Sequence, residues 1–183
     1  MENKNKKENY FVFDLDNTLV KTNKSNNEAY AEAIKGITGK TILIKQKRFT
    51  RNKIVSYFPN IDKCEIIKII QQKEDVFHNY LNKTLLNIQL YKILKIINEL
   101  NMNTILLTQS SKKRAEQILE YYSLTHFFKQ IYCKEDYNNC NKYRFLKENF
   151  DIKNLILFEN ENKEIKKAKQ IGLQENQIIT IKF

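Results

Sequence analysis

Five short apolar runs, separated by longer stretches of helical pattern, constrain what this chain can fold into more than any other feature. Tyr10–Leu15 is a compact aromatic and β-branched run behind a polar tail. Thr104–Thr108, Lys129–Cys133, Leu155–Phe158 and Ile178–Ile181 repeat that character. Runs that are almost continuously apolar, rather than alternating, mark strands buried on both faces. Between them lie helical patterns over Lys112–Tyr122, Tyr143–Asn149 and Lys163–Ile171. Gly172 stands just past the last of these, where a left-handed helix stop favours glycine. Strand–helix–strand alternation with short links predicts an α/β fold, a doubly wound parallel sheet covered by helices on both faces.

The stretch from about Lys21 to Asn101 breaks this rhythm. Ser25 with Glu28, and Asp62 with Glu65, each have the spacing of a capping box. After Asp62, apolar residues from Ile66 to Ile97 recur at helical spacing over a length too great for one ordinary helix. Breaks are expected near Asn79–Asn82 or Asn87–Gln89, and Pro59 separates an earlier helical segment. The expected organisation is a core of residues 1–20 and 102–183, interrupted by a helical insertion over residues 21–101. A chain of 183 residues suits one domain with such an insertion.

Composition excludes several classes. No apolar run approaches the roughly 20 residues of a membrane helix, and the first ten residues lack the apolar stretch of a signal peptide. The expectation is a cytoplasmic protein without a membrane partner. Cys64, Cys133 and Cys140 are odd in number and irregularly spaced, which supports neither a disulfide framework nor a zinc site. The net charge of +11 comes almost wholly from lysines scattered among Asn and Ile. Composition bias is the favoured reading of that pattern and a nucleic-acid surface the less favoured one, to be told apart by salt-dependent retention on an oligonucleotide; a positive field also favours anionic substrates.

Asp14-Leu15-Asp16-Asn17-Thr18 closes the first run. Residues two apart on an extended segment point the same way, so Asp14 and Asp16 can address one site. They stand where open parallel sheets place their ligands, at the carboxyl end of a strand. Two adjacent carboxylates repel unless they share a proton or a cation, which makes Mg²⁺ a natural occupant. Phe11 to Leu19 resembles the first motif of the haloacid dehalogenase superfamily, a Rossmann-like fold, and later segments match its other motifs in order across nearly the whole chain. Thr108, ending a strand, resembles the second motif. The resemblance implies that its hydroxyl and the amides of Gln109 and Asn17 hold phosphate oxygens. Lys142 resembles the third motif, a lysine neutralising phosphate and nucleophile. Tyr143 follows it where the family often has proline, and Lys134 competes for the assignment.

The fourth motif is where the sequence departs. The family usually supplies two acids, or one with another farther on; here Glu159 is followed by Asn160, with Glu164 beyond. An amide oxygen can ligate Mg²⁺ but brings no charge. The resemblance implies Mg²⁺ held by Asp14, Asp16 (through its carbonyl), Glu159 and Asn160. It also implies phosphomonoester hydrolysis, with Asp14 the nucleophile and Asp16 the general acid and base, on a small phosphorylated metabolite such as a sugar phosphate or nucleotide. The family's dehalogenases lack an acid at the position of Asp16, which argues against C–Cl hydrolysis. The missing charge at Asn160 leaves a catalytically weak or inactive relative, binding a phosphorylated ligand or a protein, as the alternative. The insertion lies where members carry a helical cap, and Arg48, Arg51, Tyr57 and Phe58 are its candidates for substrate contact, against ordinary packing.

Overall fold

The computed structural model describes residues 9–45, 47–137 and 140–183. All five apolar runs are strands: β1 (Tyr10–Phe13), β4 (Asn103–Leu107), β5 (Gln130–Tyr132), β6 (Leu155–Glu159) and β7 (Ile178–Thr180). Two further pairs of residues, β2 (Val20–Lys21) and β3 (Leu85–Leu86), form a separate two-stranded sheet. The helices are α1 (Asn23–Thr38), α2 (Arg51–Tyr57), α3 (Lys63–Val76), α4 (Ile88–Glu99), α5 (Lys112–Tyr121), α6 (Lys142–Asn149) and α7 (Asn162–Gln170). None among the described residues is long and apolar enough to cross a membrane.

The main sheet has the order β5-β4-β1-β6-β7, and every pairing in it is parallel. β1 is central: Phe13 stands opposite Leu106 on one side and Phe158 on the other. The expected doubly wound α/β architecture, Rossmann-like, is therefore the one observed. Register alignment brings the carboxyl ends of β1, β4 and β6 to one edge. Val12, Ile105, Leu107 and Leu157 pack with Tyr143 and Leu146 of α6 and with Ile165 and Ala168 of α7. Asp14 lies two residues beyond Val12, so it points to the face that α6 covers. Phe13 and Phe158 stack on each other, with ring centroids 4.4 Å apart.

The chain forms two compact units, one reaching through Val20 and resuming at Leu86, the other spanning Lys21–Leu85. This differs from the expected boundary at 101. α4 belongs with the first unit because its apolar face, Leu90, Leu94 and Ile97, is buried there. Tyr91 also packs edge-on against Phe127 at 5.6 Å. Both expected helix breaks occur: a 3₁₀ segment, Phe77–Lys83, follows α3, and Asn87 caps α4 by accepting from the Leu90 amide. The Asp62–Glu65 capping box is present, with Asp62 Oδ1 accepting from the Glu65 amide at 2.8 Å. The Ser25 box is not; α1 starts earlier, at Asn23 behind the cap residue Thr22, and the Ser25 hydroxyl donates to the Thr22 carbonyl. Gly172 follows α7 with φ +113°, a conformation that side chains disfavour.

The second unit closes on Tyr30, Ala33, Ile34, Phe49, Ile54 and Ile69. The candidate substrate residues there have local partners. Arg48 donates to Thr22 Oγ1 and Asn23 Oδ1, Tyr57 packs on Phe49, and Phe58 lies under Lys40. Arg51 opens α2 and is exposed.

Candidate active site

The loop after β1 is a tight, self-bonded turn. The Leu15 carbonyl accepts from the amides of Thr18, Leu19 and Val20, while the Asn17 amide donates to the Val20 carbonyl at 2.7 Å. Asn17 takes φ +61°, a left-handed conformation that Asn tolerates better than most residues. Its amide, expected to hold phosphate, is thus already used to close the turn.

Asp14 is buried at the sheet edge, 6% exposed, and its two oxygens have different partners. Lys142 Nζ donates to Oδ1 at 2.7 Å, and Thr18 Oγ1 lies 2.9 Å from Oδ2. Thr18 Oγ1 is also 3.0 Å from Asn160 Oδ1. A hydroxyl has a single proton and serves one of these acceptors at a time. Burial, opposed by Lys142 and reinforced by the neighbouring Glu159 and Asp16 charges, raises the Asp14 carboxyl to about 7.

Lys142, not the exposed Lys134, is the lysine that reaches Asp14. It is the first residue of α6, whose start is fixed by Asn141: that side chain accepts from the amides of Tyr143 and Arg144. Nζ also donates to Glu159 Oε2 at 2.8 Å. Burial alone would lower the Lys142 pKa, but the Asp14 and Glu159 carboxylates outweigh it and hold the ammonium charged.

Glu159, expected among the metal ligands, has both oxygens occupied. Oε2 accepts from Lys142 and from the Tyr143 hydroxyl at 2.7 Å, while Oε1 accepts from the amides of Asn160 and Glu161. Burial would raise its pKa, yet Lys142 and these donors bring it below the ordinary value. Glu164 pairs with Lys167 through Oε1 at 2.7 Å. Among the described residues no three His, Cys, Asp or Glu side chains gather to hold a metal. The oxygens that do gather are Asp14 Oδ2 and Asn160 Oδ1, joined through Thr18. Mg²⁺ is commonly held by one or two carboxylates, with water and substrate phosphate completing its shell. This hard-oxygen pair fits such a cation in donor type, with one carboxylate fewer than two acids would give.

Asp16 is gripped from α5 and from the connection before it. Arg114 Nη2 donates to Oδ1 and Ser110 Oγ to Oδ2, each at 2.5 Å. Thr108 is buried at the end of β4, where its Oγ1 accepts from the Ser110 amide at 3.1 Å and its carbonyl accepts from the Tyr137 hydroxyl at 2.7 Å. Gln109 follows it and is exposed.

The structure thus joins Asp14 and Glu159 through Lys142, brings Asn160 to Asp14 through Thr18, and ties Asp16 to the Thr108 loop through Ser110. Four contributors went unread in the sequence: the Thr18 hydroxyl, Ser110, Arg114 and the Tyr143 hydroxyl. Arg114 was hidden in the basic run Lys112-Lys113-Arg114, and only the expected start of α5 could have pointed its third residue back towards the loop. Tyr143 was visible as a departure from the family's proline, without a role.

Among solved structures, CbbY from Rhodobacter sphaeroides, in complex with phosphate, is similar with a TM-score of 0.75 at 16% identity, covering 91% of this chain and 84% of that one. The haloacid dehalogenase-like family hydrolase SP0104 from Streptococcus pneumoniae gives a TM-score of 0.73 at 17% identity, covering 96% and 85%. A mutant CbbY from Rhodobacter sphaeroides, in complex with Xylulose-(1,5)bisphosphate, gives 0.74 at 15%, covering 91% and 84%. At such identities these likenesses speak for the fold. A search of curated proteins finds no match. The sequence profile of the haloacid dehalogenase-like hydrolases matches residues 11–176, nearly the whole chain, and the protein belongs to that family.

Proposed function

We propose that this protein is a phosphomonoester hydrolase that works through an aspartyl-phosphate on Asp14 and is assisted by Mg²⁺. The observation that carries the reading is the contact between the Asp14 carboxylate and the buried Lys142 ammonium at the carboxyl edge of the sheet. A carboxylate there is oriented by its neighbour, and a cation beside it offsets the charge of an arriving phosphate.

In the proposed cycle an Asp14 oxygen attacks phosphorus, forming the acyl-phosphate bond as the P–O ester bond breaks. Protonated Asp16 delivers its proton to the departing alkoxide; the resulting carboxylate then takes a proton from the water that attacks the aspartyl-phosphate. Lys142 stays charged throughout, and Thr108 donates from the adjacent strand end. Mg²⁺, held by Asp14 and Asn160 with the Asp16 carbonyl, would offset charge between carboxylate and phosphate. The substrate class is a small phosphorylated metabolite; the phosphate and bisphosphate complexes of CbbY support that class. The helical unit Lys21–Leu85 is, in this reading, the counterpart of the helical cap that the family resemblance implies. A cytoplasmic location completes it.

Two observations favour a second reading, a ligand-binding member with little turnover: Asn160 stands where an acid is usual, and Glu159 is committed to Lys142 and Tyr143. A panel of phosphorylated metabolites and p-nitrophenyl phosphate, assayed with Mg²⁺ and with EDTA, separates the two. Mg²⁺-stimulated release of phosphate supports the first; binding of the same compounds with no release from any supports the second.

A further inference from the structure

We propose that Arg114 is a positioning residue of the reaction, acting through Asp16; this rests on the phosphatase reading above. Arg114 is 4% exposed and sits in the first turn of α5. That is a poor place for a cation on helical grounds, because the amino-terminal end of a helix carries partial positive charge. Burying a guanidinium is also costly unless it is paired. The location therefore needs an anion, and Asp16 supplies it: Nη2 meets Oδ1 at 2.5 Å.

Ser110 takes the other oxygen from the same connection between β4 and α5. A carboxylate held at one oxygen still swings, because the terminal torsion of Asp is broad. Held at both, its plane is fixed. Asp16 stands two residues from the nucleophile position, so its orientation decides whether a proton moves along the line of the departing oxygen. Misplacement by about an ångström can cost on the order of a hundredfold in rate. Arg114 itself reaches Asp16 from the side of α5, whereas Lys142 approaches Asp14 from α6. The two cations thus have separate tasks, one on each carboxylate of the pair.

The test compares wild type, Arg114→Met, Arg114→Lys, Asp16→Asn and the Arg114→Met/Asp16→Asn double variant, all with an alkyl phosphate, whose poor leaving group needs the acid, and Mg²⁺. Positioning predicts that Arg114→Met lowers kcat by about ten- to a hundredfold with KM nearly unchanged. It also predicts that Arg114→Lys recovers part of the loss, and that Arg114→Met has no further effect once Asp16 is Asn. A rise in KM that persists in the Asp16→Asn background would make Arg114 a substrate contact and overturn the proposal. Equal kcat losses in both backgrounds would make it a scaffold residue, with the same result. Urea unfolding of the same proteins provides the second readout. The stability lost with Arg114→Met should shrink in the Asp16→Asn background, and additive losses would refute the clamp. If Arg114→Met fails to fold, Arg114→Lys carries both comparisons. Inactivity of wild type on every ester would instead count against the phosphatase reading, with the clamp still decided by the unfolding cycle.

Discussion

Replacing Lys142 by Met removes the charge that holds two buried carboxylates together while keeping a side chain of similar length. In the native protein Nζ donates to Asp14 Oδ1 at 2.7 Å and to Glu159 Oε2 at 2.8 Å, in surroundings that leave Lys142 1% exposed. Without it Glu159 keeps the Tyr143 hydroxyl and two amides, whereas Asp14 keeps only the Thr18 contact among those described. Breaking a buried pair by removing one partner costs about 3–5 kcal/mol, and most of that should fall on Asp14. The cost should also depend on pH. Asp14 already titrates at about 7 through burial, with Lys142 pulling it down. Removing Lys142 moves it higher, and a carboxyl whose folded pKa is raised contributes stability at low pH that is lost as pH rises through that value. Urea unfolding in EDTA should therefore show Lys142→Met destabilised by about 3–5 kcal/mol at pH 8 and by clearly less at pH 5. Adding Asp14→Asn to the variant should recover much of the loss at pH 8. A penalty under about 1 kcal/mol, or one indifferent to pH, would show that these groups do not form a buried charged cluster.

Other outcomes follow from the same geometry. Because the ionised Asp14 is the attacking form and its carboxyl is raised to about 7, kcat/KM should fall as pH drops below that region, with a slope of one proton in a pH profile. Asp16→Asn should slow turnover by about 10²–10⁴, measured as kcat on an alkyl phosphate. Asn160→Asp adds a carboxylate beside Asp14 Oδ2 and Thr18, and should lower the Mg²⁺ concentration for half-maximal activity by about five- to thirtyfold, corresponding to about 1–2 kcal/mol. Glu164→Gln should leave that concentration unchanged, since Glu164 is paired with Lys167. If all three titrations, wild type included, are flat, the loop is not the metal site.

The strands were readable because burial on both faces leaves an unbroken apolar run, as in Leu155-Ile-Leu-Phe158. The carboxylates at their ends were readable for the complementary reason: a charged residue directly after such a run has no structural cause to be there. What could not be read was how each polar group would be shared. Glu159 looked like a ligand by type and position, but four donors converge on it from α6 and its own loop. Its use is set by tertiary contacts with Lys142 and Tyr143, some sixteen residues away along the chain. The Asn17 amide was taken by a turn whose closure depends on a positive φ, invisible in composition. Arg114 was concealed among lysines, since charge patterning alone does not say which cation of a helical run faces inward. The boundary at Leu86 was missed for a similar reason: α4 continues the helical periodicity of α3, and only its burial beside β4 and Phe127 assigns it to the sheet.

The most direct measurement is phosphate release by wild type and Asp14→Asn, side by side, with circular dichroism to confirm equal folding. Asparagine is nearly isosteric with aspartate but is a poor nucleophile, so the account predicts turnover in wild type, an acid-trappable phosphoenzyme formed on it, and neither in the variant. Turnover by Asp14→Asn at the wild-type rate would contradict the covalent role on which the mechanism stands.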